Sequence, residues 1–201
     1  MTTPLCDRRQ SVLVVIDYQE KFHPIVHRNE EVQSLLVRTL RGAEIFAIPV
    51  ILSEHYPQGL GQTTRPVREA FDALSVEKEV ITKTIFSCAG EDTFNEVLEK
   101  LGGRVGPDLP EVILTGIESH VCVLQTALEL LNRGCRLTAV ADAITARGAW
   151  YAQNGLDQMR EAGARIHNSE SILFEWCRHK GDGGFKPMQR LLKQIPSPGT
   201  K

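Results

Sequence analysis

The run Ser11–Ile16, SVLVVI, is apolar and β-branched almost throughout, with no polar residue at every second position. A strand of that kind has no face to give to water, so it belongs inside a parallel sheet covered on both sides. The rest of the chain has to supply the cover, and it does so by alternation. Residues 30–46 carry Val32, Leu35, Leu36, Leu40 and Ala43 at helical spacing. Residues 47–52, AIPVIL, read as a second strand whose Pro49 marks an irregular start or an edge. The loop 53–61, SEHYPQGLG, follows, and residues 65–74 read as a short helix. Lys78–Lys83 is the third strand, and residues 91–101 a helix through Phe94, Val97, Leu98 and Leu101.

A Gly-rich segment, 102–110, leads into the stretch 111–134. There Val112, Ile113 and Leu114 make a buried strand that turns at Gly116. Val121, Leu124, Leu128 and Leu131 then take helical spacing until Gly134 stops it. Residues 136–140 are the fifth strand, followed by Ala141, Asp142 and Ala143. The spacing predicts a helix over 150–162 with Leu156, Met159 and Ala162 inward, and a last short strand over 164–168. A helix over 169–176 starts from a serine cap and turns Ile172, Leu173 and Trp176 inward. A terminal helix over 185–195 follows through Met188, Leu191, Leu192 and Ile195, and the Pro- and Gly-rich tail is expected to be loose.

Such alternation implies an α/β fold, a parallel sheet with right-handed crossovers and helices on both faces. No linker-like stretch divides the 201 residues, so one domain with its core over about residues 11–195 is expected. A net charge of −2 gives no reason to expect nucleic acid as a partner. No run approaches a membrane span, and the start, MTTPLCDRRQ, lacks the apolar region of a secretory signal. Five cysteines without CxxC spacing fit reduced thiols, and the expected location is the cytoplasm. No GxGxxG or Walker motif follows a strand, which argues against a dinucleotide or ATP enzyme.

Three residues with usable chemistry fall at strand ends. Asp17 follows the first strand, Lys83 closes the third, and Cys122 sits where the fourth hands over to a helix. Taken singly, each has an ordinary reading: a turn aspartate, a solvated lysine, a small buried thiol. Taken together in a doubly wound sheet of order 3-2-1-4-5-6, they converge on the crevice beside strands one and four. A charged Lys83 and the helix N-terminus are expected to lower the Cys122 pKa, with Asp17 handling the proton. Backbone N–H groups around Cys122 would make an oxyanion hole.

The motifs VVIDYQEKF, KTIFS and GIESHVCVLQTALELLNRG resemble the isochorismatase-like cysteine hydrolases in order, spacing and type. EHYPQGLG, the segment around DAITAR, and MREAGARIHNSESILFEW resemble its isochorismatase-domain branch, whose substrate is unknown. The resemblance implies a Rossmann-like three-layer α/β/α sandwich with a six-stranded parallel sheet of order 3-2-1-4-5-6. It also implies a catalytic triad of Asp17, Lys83 and Cys122. A non-proline cis peptide would fall at Ile117–Glu118 and turn the N–H groups of Glu118 and Cys122 toward the oxyanion.

The chain lacks the Asp-x-His pair and further histidine of zinc-dependent nicotinamidases, offering Ser53, Glu54 and His55 instead. No metal and no cofactor are therefore expected. Nothing like the extra carrier domain of some isochorismatases is recognised, and the cysteine that some vinyl-ether-cleaving members lack is kept.

The expected activity is hydrolysis of a C–N bond in a small amide or ureide through a thioester. A catalytically weak binding or redox-regulated protein is the alternative. Phe22, His55, Tyr56, Phe86 and His120 are candidates to line a small-molecule pocket, each with an ordinary alternative in core or surface. The resemblance implies a homo-oligomer, dimer or tetramer. Trp150, Tyr151, Phe174 and Trp176 serve either an interface or the core, and light scattering would separate the two.

Overall fold

The computed structural model describes residues 5–102 and 109–197. Six strands pair in parallel in the order β3-β2-β1-β4-β5-β6. They are β1 (Ser11–Ile16), β2 (Val50–His55), β3 (Lys78–Lys83), β4 (Glu111–Gly116), β5 (Arg136–Ile144) and β6 (Arg165–His167). The unbroken apolar character of β1 has the meaning expected of it: all six residues are buried. Its pleat divides them between two cores. Leu13 and Val15 pack with α1 (Asn29–Phe46), α3 (Arg65–Asp72), α7 (Ser169–Cys177) and α8 (Phe185–Gln194). Val12, Val14 and Ile16 pack on the other side with α4 (Asp92–Gly102), α5 (Leu124–Asn132) and α6 (Ala149–Glu161). Each fully buried Val, Leu or Ile contributes about 1.5–3 kcal/mol, so the two layers fix the register of the central strands.

Several boundaries differ from those read off the sequence. β2 begins at Val50, not at residue 47, because Ala47 caps α1 in the left-handed region at φ 56° and donates back to Ala43 and Glu44. A non-glycine stop of this kind carries no sequence signal. β2 also runs on through Ser53, Glu54 and His55, which pair with Ile81, Thr82 and Lys83. What read as a loop therefore starts as strand, and its Pro57–Leu60 segment (α2) is a short helical turn. β5 continues to Ile144, past the expected end at residue 140. Ala162 caps α6 and is exposed rather than turned inward. The cap of α7 is Asn168, whose side chain accepts from the Ser171 N–H; Ser169 is instead held by Asp142, at 2.7 Å through both its N–H and its hydroxyl. Trp176 belongs to the core, whereas Trp150, Tyr151 and Phe174 are exposed. Most of the Gly-rich segment 102–110 and the end of the tail lie outside the described residues. Among the described residues, no helix is long and apolar enough to cross a membrane.

Candidate active site

The site is built from the carboxyl ends of β3, β2, β1 and β4, which stand side by side in that order. Asp17 directly follows β1 with φ 48°, a left-handed turn that lifts its carboxyl group off the strand line. Gln19, wholly buried, locks this turn to the next strand. Its amide donates to the carbonyls of His55 (3.0 Å) and Gly61 (2.6 Å) and accepts the His55 N–H at 2.8 Å.

β2 lies between Asp17 and Lys83, so a side chain from β3 has to span two strand spacings, roughly 9–10 Å. Lysine has the length. Its Nζ stands 2.6 Å from Asp17 Oδ2, with both side chains all but inaccessible to solvent. It also donates to the carbonyls of Ile85 (3.2 Å) and Phe86 (2.8 Å), while Ser53 Oγ donates to Asp17 Oδ1 at 2.7 Å. Burial opposes the charge on Lys83, but Asp17, with Cys88 and Cys122 behind it, outweighs that and holds its pKa above the ordinary lysine value. Lys83 Nζ and Asp17 Oδ2 thus form a buried ion pair.

Cys122 enters from β4. The Ile117–Glu118 peptide after this strand is cis. Residues Ser119–Val123 then make one wide π-helical turn before α5 begins, so the cysteine stands in that turn and not in the α-helix itself. Two glycines allow the approach. A Cβ on Gly116 (φ 108°) would stand 2.0 Å from the Ile16 carbonyl oxygen, and one on Gly155 of α6 would stand 2.3 Å from Ser119 Oγ. Thr126 Oγ1 donates to the Cys122 carbonyl at 2.7 Å and accepts the Cys88 N–H at 2.9 Å, tying the turn to its neighbours.

The expected low thiol pKa is corrected here. Burial pushes the Cys122 thiol up to about 12, and the Asp17 carboxylate adds to that as a charge and as a hydrogen-bond acceptor. Lys83 acts in the lowering direction and does not prevail, because its charge is already taken by Asp17. At neutral pH the Cys122 side chain is a thiol with the Asp17 side chain beside it.

Above these groups lies a cavity of about 330 Å³. Asp17 and Cys122 reach it, and so do Phe22, His55 and Phe86. Burial, and then Lys83, push the His55 pKa below its ordinary value, so its ring is neutral at pH 7; it lies 5.5 Å from the Phe86 ring. Lys83 is not among the lining residues and meets the site through its pair with Asp17. Tyr56 and His120 do not line it: Tyr56 is exposed, and His120 stacks on Tyr151 of α6 at 4.8 Å. Among the described residues, no three His, Cys, Asp or Glu side chains gather as a group that could hold a metal ion.

The family model for the isochorismatase domain matches residues 11–171. The chain belongs to the isochorismatase family. Isochorismatase domain-containing protein 2 of Bos taurus is 35% identical over 190 residues, covering 94% of this chain and 86% of that protein. Isochorismatase domain-containing protein 1 of Danio rerio is 35% identical over 185 residues, 91% of this chain, and the match spans 61% of its own length. The solved structure described as the MAR1 ribonuclease of Caenorhabditis elegans superposes with a TM-score of 0.85 at 32% identity, over 98% of this chain and 97% of that one. The six-stranded parallel sheet, its order and its surrounding helices are those of the isochorismatase-family hydrolases.

Within this family fold, sequence reasoning missed part of the cavity wall. Leu60, Ile117, Val121 and Arg147 line it as well. Leu60 belongs to the SEHYPQGLG segment and Val121 to the turn that carries Cys122, so their neighbourhood was visible. Arg147 was not. It lies just before α6, and only the folding of β5 alongside β4 brings it to Glu118, whose Oε2 accepts from its N–H at 3.1 Å and its Nε at 3.0 Å.

Proposed function

We propose that the chain is a cysteine hydrolase that cleaves the C–N bond of a small amide or ureide through a thioester. The observation that carries this is the buried 2.6 Å Lys83–Asp17 pair beside a cysteine that reaches a cavity of about 330 Å³. That volume is at the small end of ligand pockets, roughly 300–1,000 Å³. In this reading Asp17 takes the Cys122 proton as the sulfur attacks the substrate carbonyl carbon. The N–H groups of Glu118 and Cys122 receive the oxyanion; the Glu118 N–H has no protein acceptor among the described residues. The C–N bond breaks as Asp17 hands its proton to the leaving nitrogen, and the thioester remains. Asp17 then deprotonates a water molecule, which attacks the thioester, and the departing sulfur recovers the proton. Lys83, 2.6 Å from Oδ2, holds the Asp17 side chain in place through these transfers. Because the thiol rests protonated, a base in contact with it is a requirement of this chemistry and not an accessory.

The test is a panel of small amides and ureides, with acid quench and intact-mass measurement. A covalent acyl adduct on Cys122 that builds up and turns over is expected, and Cys122→Ala should abolish both adduct and turnover. Turnover surviving in Cys122→Ala would end the reading.

The ribonuclease description of the Caenorhabditis elegans relative raises a second reading. A net charge of −2 gives a polyanion no general attraction, so this reading stands behind the first. Cleavage of labelled RNA by purified protein, lost in Cys122→Ala, would reverse the order. Reversible oxidation of Cys122 with no turnover on any substrate would point to a redox-regulated binding protein instead. Homo-oligomer assembly is part of the proposal, with exposed Trp150 and Tyr151 as apolar surface for it.

A further inference from the structure

Helices α1, α3 and α8 pack on one face of the sheet and leave a long groove between them. One stretch of it measures about 510 Å³ and the next about 620 Å³, and Val37, Pro66 and Gln194 line both. None of the lining residues reaches the Cys122 cavity. The wall is largely apolar: Val37, Ile45 and Ala70 are half-buried along it, and Leu74 and Leu191 are buried. From α3 it receives Pro66, Ala70 and Ala73, spaced i, i+4, i+7, so the side chains on that flank are small and the groove stays open. Along α1 it runs from Ser34 to Ile45, roughly 17 Å of helix axis.

The charges along the groove are unequally engaged. Glu44 accepts from the N–H groups of Ser75 at 2.8 Å and Val76 at 3.4 Å. Glu69 accepts from Arg65 at 2.7 Å, and Glu31 pairs with Arg28. The lining cations are different: Arg41 and Arg190 have no acceptor among the described residues. Lys186 and Lys193, four before and three after Arg190, extend it into an exposed basic stripe along α8. The acids are taken and the bases are not.

We propose that this groove docks an acidic amphipathic helix of another protein, about three turns long, with its apolar stripe in the groove and its carboxylates against Arg41 and Arg190. Laying one apolar helix face into a groove between helices is a recurring mode of recognition, and a length of roughly 17 Å suits about eleven residues. The small side chains of α3 allow the 8–10 Å approach, roughly, that packed helices adopt. Rim cations then select the partner and set its direction, since its acidic end is drawn toward the α8 stripe.

A bilayer surface fits less well. Membrane docking needs protruding apolar anchors beside the basic stripe, and among the described residues none of the large exposed apolar side chains lines the groove. A second copy of the chain also fits less well. The acidic helix α4, for instance, keeps Phe94, Leu98 and Leu101 buried in its own core and has no such stripe to offer.

The experiment selects binders for the full chain from a displayed library of random peptides of about 14 residues, just over the groove's length. Selected peptides are then titrated by fluorescence anisotropy. They should carry apolar residues at i, i+3 or i+4, and i+7, flanked by Asp or Glu, and should bind more weakly as salt rises. Arg41→Glu/Arg190→Glu should weaken them by about tenfold or more, and Arg41→Lys/Arg190→Lys by much less. Ala73→Trp, which adds bulk at the groove, should weaken them at least as much as the charge reversal. All three variants should keep the wild-type thermal unfolding and the wild-type rate of Cys122 alkylation, so a loss of binding reads the groove and not the fold.

Failure to select any peptide, selection of basic or uncharged ones, or peptides indifferent to both the charge reversal and Ala73→Trp would overturn the proposal. Light scattering that shows a wild-type oligomer reduced to protomers by Ala73→Trp would replace it with a second copy. Binding to phosphatidylserine vesicles in place of peptide, lost in Arg41→Glu/Arg190→Glu, would replace it with a membrane.

Discussion

Cysteine, carboxylate and cation meet at opposite ends of the same sheet. At the amino ends of β4, β5 and β6, the Cys6 thiol donates to Glu111 Oε1 at 2.9 Å. Arg165 stands 3.3 Å from Glu111 Oε1, and Arg136 stands 3.0 Å from Glu111 Oε2. At the carboxyl ends stand Cys122, Asp17 and Lys83. In both clusters burial and a neighbouring carboxylate hold the thiol above its ordinary pKa. The difference lies in what the sulfur can reach. Cys6 is wholly sealed, and its carboxylate is shared between two guanidinium groups. Cys122 is 8% exposed, at a cavity, and its carboxylate has a single ammonium partner. The same residue types make a strut at one end and a candidate reaction centre at the other. Composition of a cluster does not decide its role; access does.

The contrast is most exposed to failure in a pair of cysteine variants. Cys122→Ala should reduce turnover of an accepted amide by about 10⁴-fold or more. Cys6→Ala should leave kcat/KM unchanged and cost about 1–2 kcal/mol in urea unfolding, since Glu111 keeps both arginines. A large catalytic loss in Cys6→Ala would dissolve the distinction.

A smaller effect separates the two ion networks. Lys83→Met removes the one cation facing a buried Asp17 and should cost about 3–5 kcal/mol of stability. Arg165→Met leaves Glu111 paired with Arg136 and should cost about 1–2 kcal/mol. Asp17→Asn/Lys83→Met should regain much of the lost stability without regaining activity. Equal losses for Lys83→Met and Arg165→Met in denaturant titrations would show that the two clusters are built alike.

The smallest effect is kinetic and depends on pH. With its pKa pushed up to about 12, Cys122 should react with iodoacetamide slowly at pH 7, and ever faster through pH 9 and beyond without levelling there. Cys6 should stay unlabelled until the protein unfolds. Both thiols titrate higher folded than unfolded. The stability they contribute is therefore complete below the ordinary thiol range and declines as pH rises above it toward the folded values. A plateau in the Cys122 rate near pH 8 would mean that Lys83 prevails over burial after all.

Much of this was legible residue by residue. Runs such as SVLVVI and EVILTG can only be central strands, and helical spacing in 30–46 and 185–195 can only cover them. Asp17, Lys83 and Cys122 stood out because strand ends in an alternating chain all face one way. Failures came where a local rule met a non-local force. The left-handed Ala47 displaced the start of β2, and the long β5 carried chain past its expected end toward α6. Tyr56 and His120 were named for their closeness in sequence to the site, but α6 draws His120 into a stack and solvent takes Tyr56.

Sequence alone determined the layer order and the identity of the three strand-end groups, because hydrophobic period and chain direction act over a few residues. Only the tertiary structure decided their state. The thiol pKa rises instead of falling because burial is a sum over the whole neighbourhood, and Lys83 is spent on Asp17 across β2. Arg147 enters the cavity for the same kind of reason: its partner, Glu118, lies 29 residues away in sequence and one hydrogen bond away in space.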